Sequence, residues 1–155
     1  VGSEMCIRDS VAVTGHRDMS RGIDDKKLQD ILVSLIERGY RTFYLGLALG
    51  FDTYCFRTLF LLKKKYKLKL IGCAPYENQS EKWSARDKEI YRYMCSLCDE
   101  RVAVSENYYP GCMMKRNAYM VDRSEVVLAY LNKSAGGTYN TVKYAVSQGK
   151  KIIYI

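Results

Sequence analysis

The feature that most constrains this chain is the alternation of short apolar runs with longer amphipathic segments. Apolar, largely β-branched runs predict six strands, at residues 11–14, 42–47, 69–74, 101–104, 126–131 and 152–155. Helical spacing predicts five intervening helices, at about 24–39, 50–65, 81–97, 113–123 and 138–147. This alternation requires crossover connections. It therefore predicts an α/β fold: a three-layer, Rossmann-like, doubly wound and mainly parallel six-stranded sheet.

A doubly wound sheet binds its ligands beyond the carboxyl ends of its strands, so the loops after the strands are the places to examine. The first such loop contains Gly15, His16 and Arg17. Gly15 permits close backbone approach to a ligand, and Arg17 offers a fork of donors suited to phosphate or carboxylate. His16 could bond a ligand or move a proton, and a structural histidine in a capping turn is the alternative. The position of the loop favours ligand contact.

Two further loops carry paired glycines. Gly46 and Gly50 flank the second loop, and they allow a tight turn into a helix whose free amides could hold phosphate. Asp52 follows, either as a cap or as a partner for a sugar hydroxyl.

The last loop supplies Gly136, Gly137 and Thr138 at a helix start, which is a favourable anion site. A plain helix start is the alternative, although it needs only one capping residue. Arg116 and Asn117 lie on the preceding helix, where they either reach the same cleft or form an exposed pair.

The charge balance favours anionic partners. The chain has 25 Lys and Arg against 17 Asp and Glu residues, a net charge of +8. Residues 1–10, VGSEMCIRDS, look like the translated end of a sequencing adaptor, as in metagenomic read assembly. We therefore expect a non-native tail at 1–10 and a single domain at 11–155. Without the tail the net charge is +9, which suits phosphates, nucleotides or nucleic acid, and ordinary solvated lysines are the alternative.

Composition limits the membrane association, the cellular location and the metal or cofactor sites that we expect. No apolar run approaches the roughly 20 residues of a membrane helix, so no membrane partner is expected. Five cysteines remain beyond the tail, an odd number without a secretory signal, and this predicts reduced thiols and a cytoplasmic location. One histidine and one C-x-x-C pair are too few for a zinc site, and we expect no metal and no cofactor.

These loops together resemble the SLOG superfamily, which joins the DNA-processing protein DprA to the LOG phosphoribohydrolases, and within it the YpsA-like branch. The resemblance rests on residues 14–17, 46–52, 75–91, 116–124 and 136–138, with Tyr144 and Ala145. It implies a sheet of order 3-2-1-4-5-6. It also implies a nucleotide or nucleotide-derived ligand held by the glycine loops. The YpsA-like branch brings no established catalytic activity to transfer.

Three functions follow from this pattern. The first is a binding module or sensor for a nucleotide-like small molecule, alone or as a homo-oligomer. The second is a LOG-like hydrolase of an N-glycosidic bond. LOG enzymes carry P-G-G-x-G-T-x-x-E, in which the glutamate is catalytic. In this chain Ala135 precedes the glycines, and Lys143 and Tyr144 stand near the position expected for the glutamate. The catalytic residues of such a hydrolase therefore stay unknown. Only His16, Asp18 and Asp52 are candidate acids or bases near the cleft.

The third function is a DprA-like binder of single-stranded nucleic acid, which needs a basic groove with aromatic stacking. The densest basic run, at residues 63–65, closes the second predicted helix, on the side of the sheet opposite the strand ends. This placement makes nucleic acid the less favoured partner.

Overall fold

Six parallel strands form the central sheet of the computed structural model, which describes residues 10–155. The strands are β1 Ser10–Gly15, β2 Thr42–Leu45, β3 Lys69–Ala74, β4 Glu100–Ala103, β5 Val126–Tyr130 and β6 Lys151–Tyr154. The helices are α1 Asp25–Glu37, α2 Phe51–Leu62, α3 Ala85–Leu97, α4 Cys112–Asp122 and α5 Gly137–Ser147. The predicted doubly wound α/β class is confirmed. The predicted tail lies outside the described residues except for Ser10, the first residue of β1.

The strand order differs from the expected 3-2-1-4-5-6. The sheet runs β4-β3-β2-β1-β5-β6, so β4 extends the sheet beyond β3 and does not lie beside β1. The place beside β1 belongs to β5, whose five residues are all buried. By contrast, β4 is short and begins with the exposed Glu100 and Arg101, which suits a sheet edge because charged side chains protect an edge from further pairing.

Two hydrophobic cores lie on opposite faces of the sheet. On one face, α1, α2 and α3 pack against alternate strand residues, among them Val11, Val13 and Leu128. On the other face, α4 and α5 cover Ala12 and Val127, the neighbouring positions on the same strands. Successive strand side chains point to opposite faces, and burial on both faces explains why the central strands read as continuous apolar runs.

The helices begin in two different ways. Asp24 caps α1, with its carboxylate accepting from Lys27 N at 3.0 Å, and Ser84 caps α3 by accepting from Asp87 N at 3.1 Å. The Ser84 cap moves the start of α3 from the predicted residue 81 to Ala85. The other three helices follow a glycine, and none has a side-chain cap. The first amides of α2 and α4 donate to the carbonyls of His16 and Tyr109, whereas within the described residues no such bond is made by the first amides of α5, which are available to another acceptor.

The lysine run at residues 63–65 follows the end of α2 and lies at the amino ends of the strands. Lys63 Nζ is 2.8 Å from Asp99 Oδ2, and the same carboxylate oxygen accepts from Leu70 N, near the start of β3, at 2.7 Å. The densest basic run is thus remote from the carboxyl ends of the strands, as the sequence indicated.

Candidate functional site

The strand order reverses between β1 and β5. The chain adds β2, β3 and β4 on one side of β1 and then returns to place β5 on the other side. Gly15 pairs with Tyr130 in the register, so the two strands end level. The loops after them, residues 16–24 and 131–136, therefore adjoin at the position where doubly wound sheets bind ligands. We call this region the switch-point cleft.

His16 ties three loops together at the base of the switch-point cleft. Its Nε2 accepts a hydrogen bond from Asn132 N at 3.0 Å, and its carbonyl accepts from Phe51 N at 3.1 Å. Burial, helped by the positive charge of Lys133 and opposed by Asp18, lowers the pKa of His16 below its usual value. An Nε2 that accepts a backbone N–H is unprotonated. This geometry matches the structural alternative for His16 better than a free proton carrier.

The His16 bond predicts a specific pH dependence. Because the folded-state pKa is lowered, the unfolded chain takes up this proton first, and stability is lost as pH falls below about 6.5. Protonation breaks the bond to Asn132, which we expect to cost about 0.5–1.5 kcal/mol. Urea unfolding at pH 7.5 and pH 5 measures this loss against the His16→Gln variant, which keeps an acceptor that does not titrate. Acidification should destabilise the wild type by this amount relative to the variant, since other buried groups such as Asp52 affect both proteins equally. Equal changes of stability with pH in the two proteins would contradict the assignment.

Gly15 and Gly50 allow the loops to pack closely. A Cβ added at Gly15 would lie 2.4 Å from Phe51 Cδ2, and one at Gly50 would lie 2.4 Å from the carbonyl oxygen of Arg17. Gly50 also has φ of +87°, which side chains rarely adopt. Both glycines were predicted as ligand contacts, and the structure supplies a packing reason for each. Arg17 itself is exposed, with its guanidinium 5.7 Å from the centre of the Trp83 ring.

Arg116 and Asn117 form a buried network, so the surface-pair alternative does not hold. Arg116 Nη1 donates to the carbonyls of Gly46 and Cys73, at 2.9 and 3.1 Å, and Nε donates to Asn117 Oδ1 at 2.8 Å. Asn117 Nδ2 in turn donates to Thr141 Oγ1 at 2.9 Å. Arg116 thereby links the carboxyl ends of β2 and β3 to α5.

Asp52 lies beneath the second loop and is 6% exposed. Its Oδ2 accepts from Ala48 N at 3.1 Å, whereas Oδ1 has no hydrogen-bond partner among the described residues. Burial raises the pKa of Asp52 to about 6, although the charge of Arg116 and the bond from Ala48 oppose this shift. Nearby Leu47 is buried with φ of +57°, an uncommon conformation for a leucine. The loop after β2 is thus strained and carries an unpaired polar atom, both of which are typical of functional sites.

The start of α5 is open. Gly136 has φ of +99° and precedes the helix, and Gly137 has no positive φ. A Cβ at Gly137 would meet nothing within 4 Å, so space remains beside the backbone. Thr138 is buried in the first turn, and Thr141 Oγ1 donates to Gly137 O at 2.8 Å. Exposed glycine amides at an uncapped helix start are suited to an anion.

Two further residues shape the site and were not predicted as contacts. Gln79 is buried and donates to Gly46 O at 3.1 Å, beside the bond from Arg116. Tyr130 stacks on Phe51 at 5.3 Å, and its hydroxyl donates to Gly22 O at 2.9 Å. Gln79 lies in a polar turn without periodicity, so no sequence signal marked it. Tyr130 ends an apolar strand, and its position at the carboxyl end was a usable signal.

A family model described as the YspA SLOG family, under the name YpsA, matches residues 11–153. The chain belongs to this SLOG family. Among its relatives, the SPbeta prophage-derived protein YoqJ of Bacillus subtilis is 36% identical over 138 residues, which cover 77% of this chain and 80% of YoqJ. A UPF0398 protein of Bacillus velezensis is 26% identical over 154 residues, covering 91% of this chain and 83% of that protein. The predicted SLOG, YpsA-like membership is confirmed.

Solved structures show the same SLOG fold. DprA from Streptococcus pneumoniae superimposes with a TM-score of 0.68 at 17% identity, covering 97% of this chain. The chain spans about half of that protein, 51% of its length. DprA from Helicobacter pylori has a TM-score of 0.65 at 16% identity, over 98% of this chain and 67% of its own. At these identities the likeness concerns the fold.

Three further observations bear on the chemistry and setting of this SLOG domain. Tyr144, near the expected place of the LOG glutamate, donates its hydroxyl to Asp122 Oδ1 at 2.6 Å. Within residues 10–155, no three His, Cys, Asp or Glu side chains cluster closely enough to hold a metal ion. No helix in the same range combines the length and apolar character that crossing a bilayer requires.

Proposed function

We propose that this SLOG domain is a binding module or sensor for a nucleotide or nucleotide-derived ligand in the switch-point cleft. The observation that carries the proposal is the start of α5, where Gly137 follows Gly136, at φ of +99°, and a Cβ added at Gly137 would meet only open space. A phosphate there accepts from helix-start amides and meets the positive end of the helix dipole.

The charges around the cleft support a phosphate. Arg17 is exposed on the loop after β1, and Lys133 is exposed on the loop after β5. Arg21 also reaches across the cleft, with Nη1 3.5 Å from Asn132 O. Three cations therefore lie on the two loops that border the cleft, and they raise the local concentration of anions. A bond from a sugar hydroxyl to Asp52 would require the loop after β2 to move, because the unpaired Oδ1 is buried.

A second candidate function is the binding of single-stranded nucleic acid, and one observation favours it. Tyr108 is 62% exposed, makes an edge-to-face contact with Tyr76 at 5.7 Å, and adjoins Tyr109, over which Lys115 lies at 5.9 Å. Exposed aromatic rings next to a cation are suited to stacking on bases. The structure of H. pylori DprA is described as showing a single-stranded DNA binding mode. For this chain, nucleic acid remains the alternative to a small ligand.

A direct binding comparison tests the two functions. The nucleotide panel consists of AMP, ATP, NAD and ADP-ribose. A dT oligonucleotide, titrated separately, represents single-stranded nucleic acid. We expect calorimetry to detect saturable binding of at least one panel member, with a modest loss of affinity between 50 and 200 mM salt. A strand contacting several phosphates loses about 10³-fold or more over that range. If the affinity for the oligonucleotide fell steeply with salt and no panel member bound, the second function would replace the first.

Mass spectrometry of small molecules that co-purify with the protein extends this test beyond the panel. A retained nucleotide-derived compound is the expected result. Its release by high salt would identify it as a reversibly bound ligand held through its charge.

A further inference from the structure

A second pocket lies outside the switch-point cleft, between the turn at residues 77–81, helix α3 and strand β4. It has a volume of about 300 Å³. Its floor includes Tyr91 and Cys95, and its walls include Lys88, Arg92 and Arg101. None of the residues proposed to contact the nucleotide lines this pocket, although Gln79 of the same turn donates to Gly46 O. This volume lies at the lower end of the range for small-molecule sites, which suits a ligand smaller than a nucleotide.

The Tyr91 hydroxyl is the unusual group in this pocket. Tyr91 is 93% buried, and its hydroxyl oxygen lies near Gln79, Cys95 and Arg101 but makes no hydrogen bond of good geometry within residues 10–155. Burial is the main reason why the pKa of Tyr91 is raised, so the hydroxyl keeps its proton and is a donor. Leaving a buried hydroxyl without a partner is unfavourable, and a ligand oxygen in the pocket would supply an acceptor for it.

The charges of the pocket favour an anion. Lys88, Arg92 and Arg101 supply three positive charges, and none of them forms an ion pair within 4 Å among residues 10–155. Glu77 and Glu81 contribute two negative charges from the turn, and both are exposed. The balance is positive, and the donors of arginine suit planar or tetrahedral oxyanions. A phosphate monoester carries about −1.5 to −2 at pH 7, so it gains more from three cations than a carboxylate does.

We propose that this pocket is a second ligand site, which takes a small phosphate-bearing molecule with Tyr91 and Arg101 donating to the phosphate oxygens. The proposal goes beyond the nucleotide site and does not depend on it. Trp83 provides a readout, because it is the only tryptophan of the chain and its ring makes an edge-to-face contact with Tyr91 at 5.4 Å. Binding beside Tyr91 should change the emission of Trp83.

The test titrates inorganic phosphate against Trp83 fluorescence in the Gly137→Asp variant, in which the proposed phosphate position at α5 is blocked. We expect saturable binding to persist there. In the same background, Arg101→Gln and Tyr91→Phe should each weaken phosphate binding about tenfold or more, because each removes a hydrogen bond to a charged group. Arg86→Gln, an exposed change on α3 outside the pocket, should leave the affinity unchanged.

Three results would overturn the second site: no saturable phosphate binding in Gly137→Asp, equal affinities for Arg101→Gln and Arg86→Gln, or acetate binding as tightly as phosphate. Thermal melting of each variant verifies folding, and Tyr91→Phe removes only one oxygen, so it tests the proposal even if Arg101→Gln is unstable. Failure here leaves the nucleotide panel unaffected, whereas failure of the nucleotide site leaves phosphate binding in this pocket intact. The two proposals are therefore separable.

Discussion

Replacing Gly137 by aspartate is expected to lower the affinity for the nucleotide panel by between about fivefold and a thousandfold while the fold persists. The substitution places a carboxylate where the phosphate is proposed to lie. Two anions about 4 Å apart repel by roughly 1 kcal/mol in water and about 4 kcal/mol near a protein surface. These energies correspond to the two limits of the expected loss. Calorimetry with the panel member that binds the wild type most tightly is the measurement.

The backbone at Gly137 makes this a test of binding and not of folding. Gly137 begins α5 without a positive φ, and an added Cβ would meet no atom within 4 Å. Aspartate is also favourable in the first turn of a helix. The neighbouring Gly136, at φ of +99°, would not tolerate the same change. Gly137→Asn is the matched control, since it has the same shape without the charge. Equal affinities for the aspartate and asparagine variants would remove phosphate from this turn.

The fold was largely predictable, and the strand order was the exception. Alternation of strand and helix patterns fixes the class, because parallel strands need crossover helices. It does not fix the side of the sheet on which each strand is added. The exposed Glu100 and Arg101 of β4 and the fully buried β5 carried the missing information. The two exposed charged residues that open β4 indicate an edge, and the fully buried apolar residues of β5 indicate a central position.

The sequence predicted where the loop residues lie in the fold, but less well what they contact there. Loop position placed Gly15, His16 and Gly137 at the carboxyl edge correctly. Position 15 requires a glycine because a side chain there would clash with Phe51. Phe51 lies 36 positions away in the sequence and becomes a neighbour only in the fold. Arg116 offered a local signal, because Cys112, Arg116 and Met120 follow one another at helical spacing and all three are buried. A charged residue on an apolar stripe indicates a buried, hydrogen-bonded charge.

Replacing Arg116 by methionine is expected to destabilise the protein by about 3–5 kcal/mol, because buried carbonyls lose a charged donor and a nearby buried carboxylate loses a compensating charge. The carbonyls of Gly46 and Cys73 would lose their shared donor, and Asp52 would lose the positive charge that offsets its burial. Methionine fills similar space without replacing either interaction. Urea unfolding, with the fitted free energy of unfolding compared to the wild type, measures the loss.

The pH dependence of that loss separates the two contributions. In the wild type the pKa of Asp52 in the folded state is about 6, above the usual 3.8. The folded state therefore holds this proton more tightly than the unfolded state does. Stability consequently falls as pH rises from about 4 through 6. Without Arg116 the carboxylate is still less favourable, and the destabilisation should be larger at pH 8 than at pH 5. The double variant Arg116→Met/Asp52→Asn removes the buried carboxylate and should recover part of the stability at pH 8. A loss that is equal at both pH values, with no recovery in the double variant, would assign the whole effect to the carbonyl bonds and leave Asp52 uncoupled from Arg116.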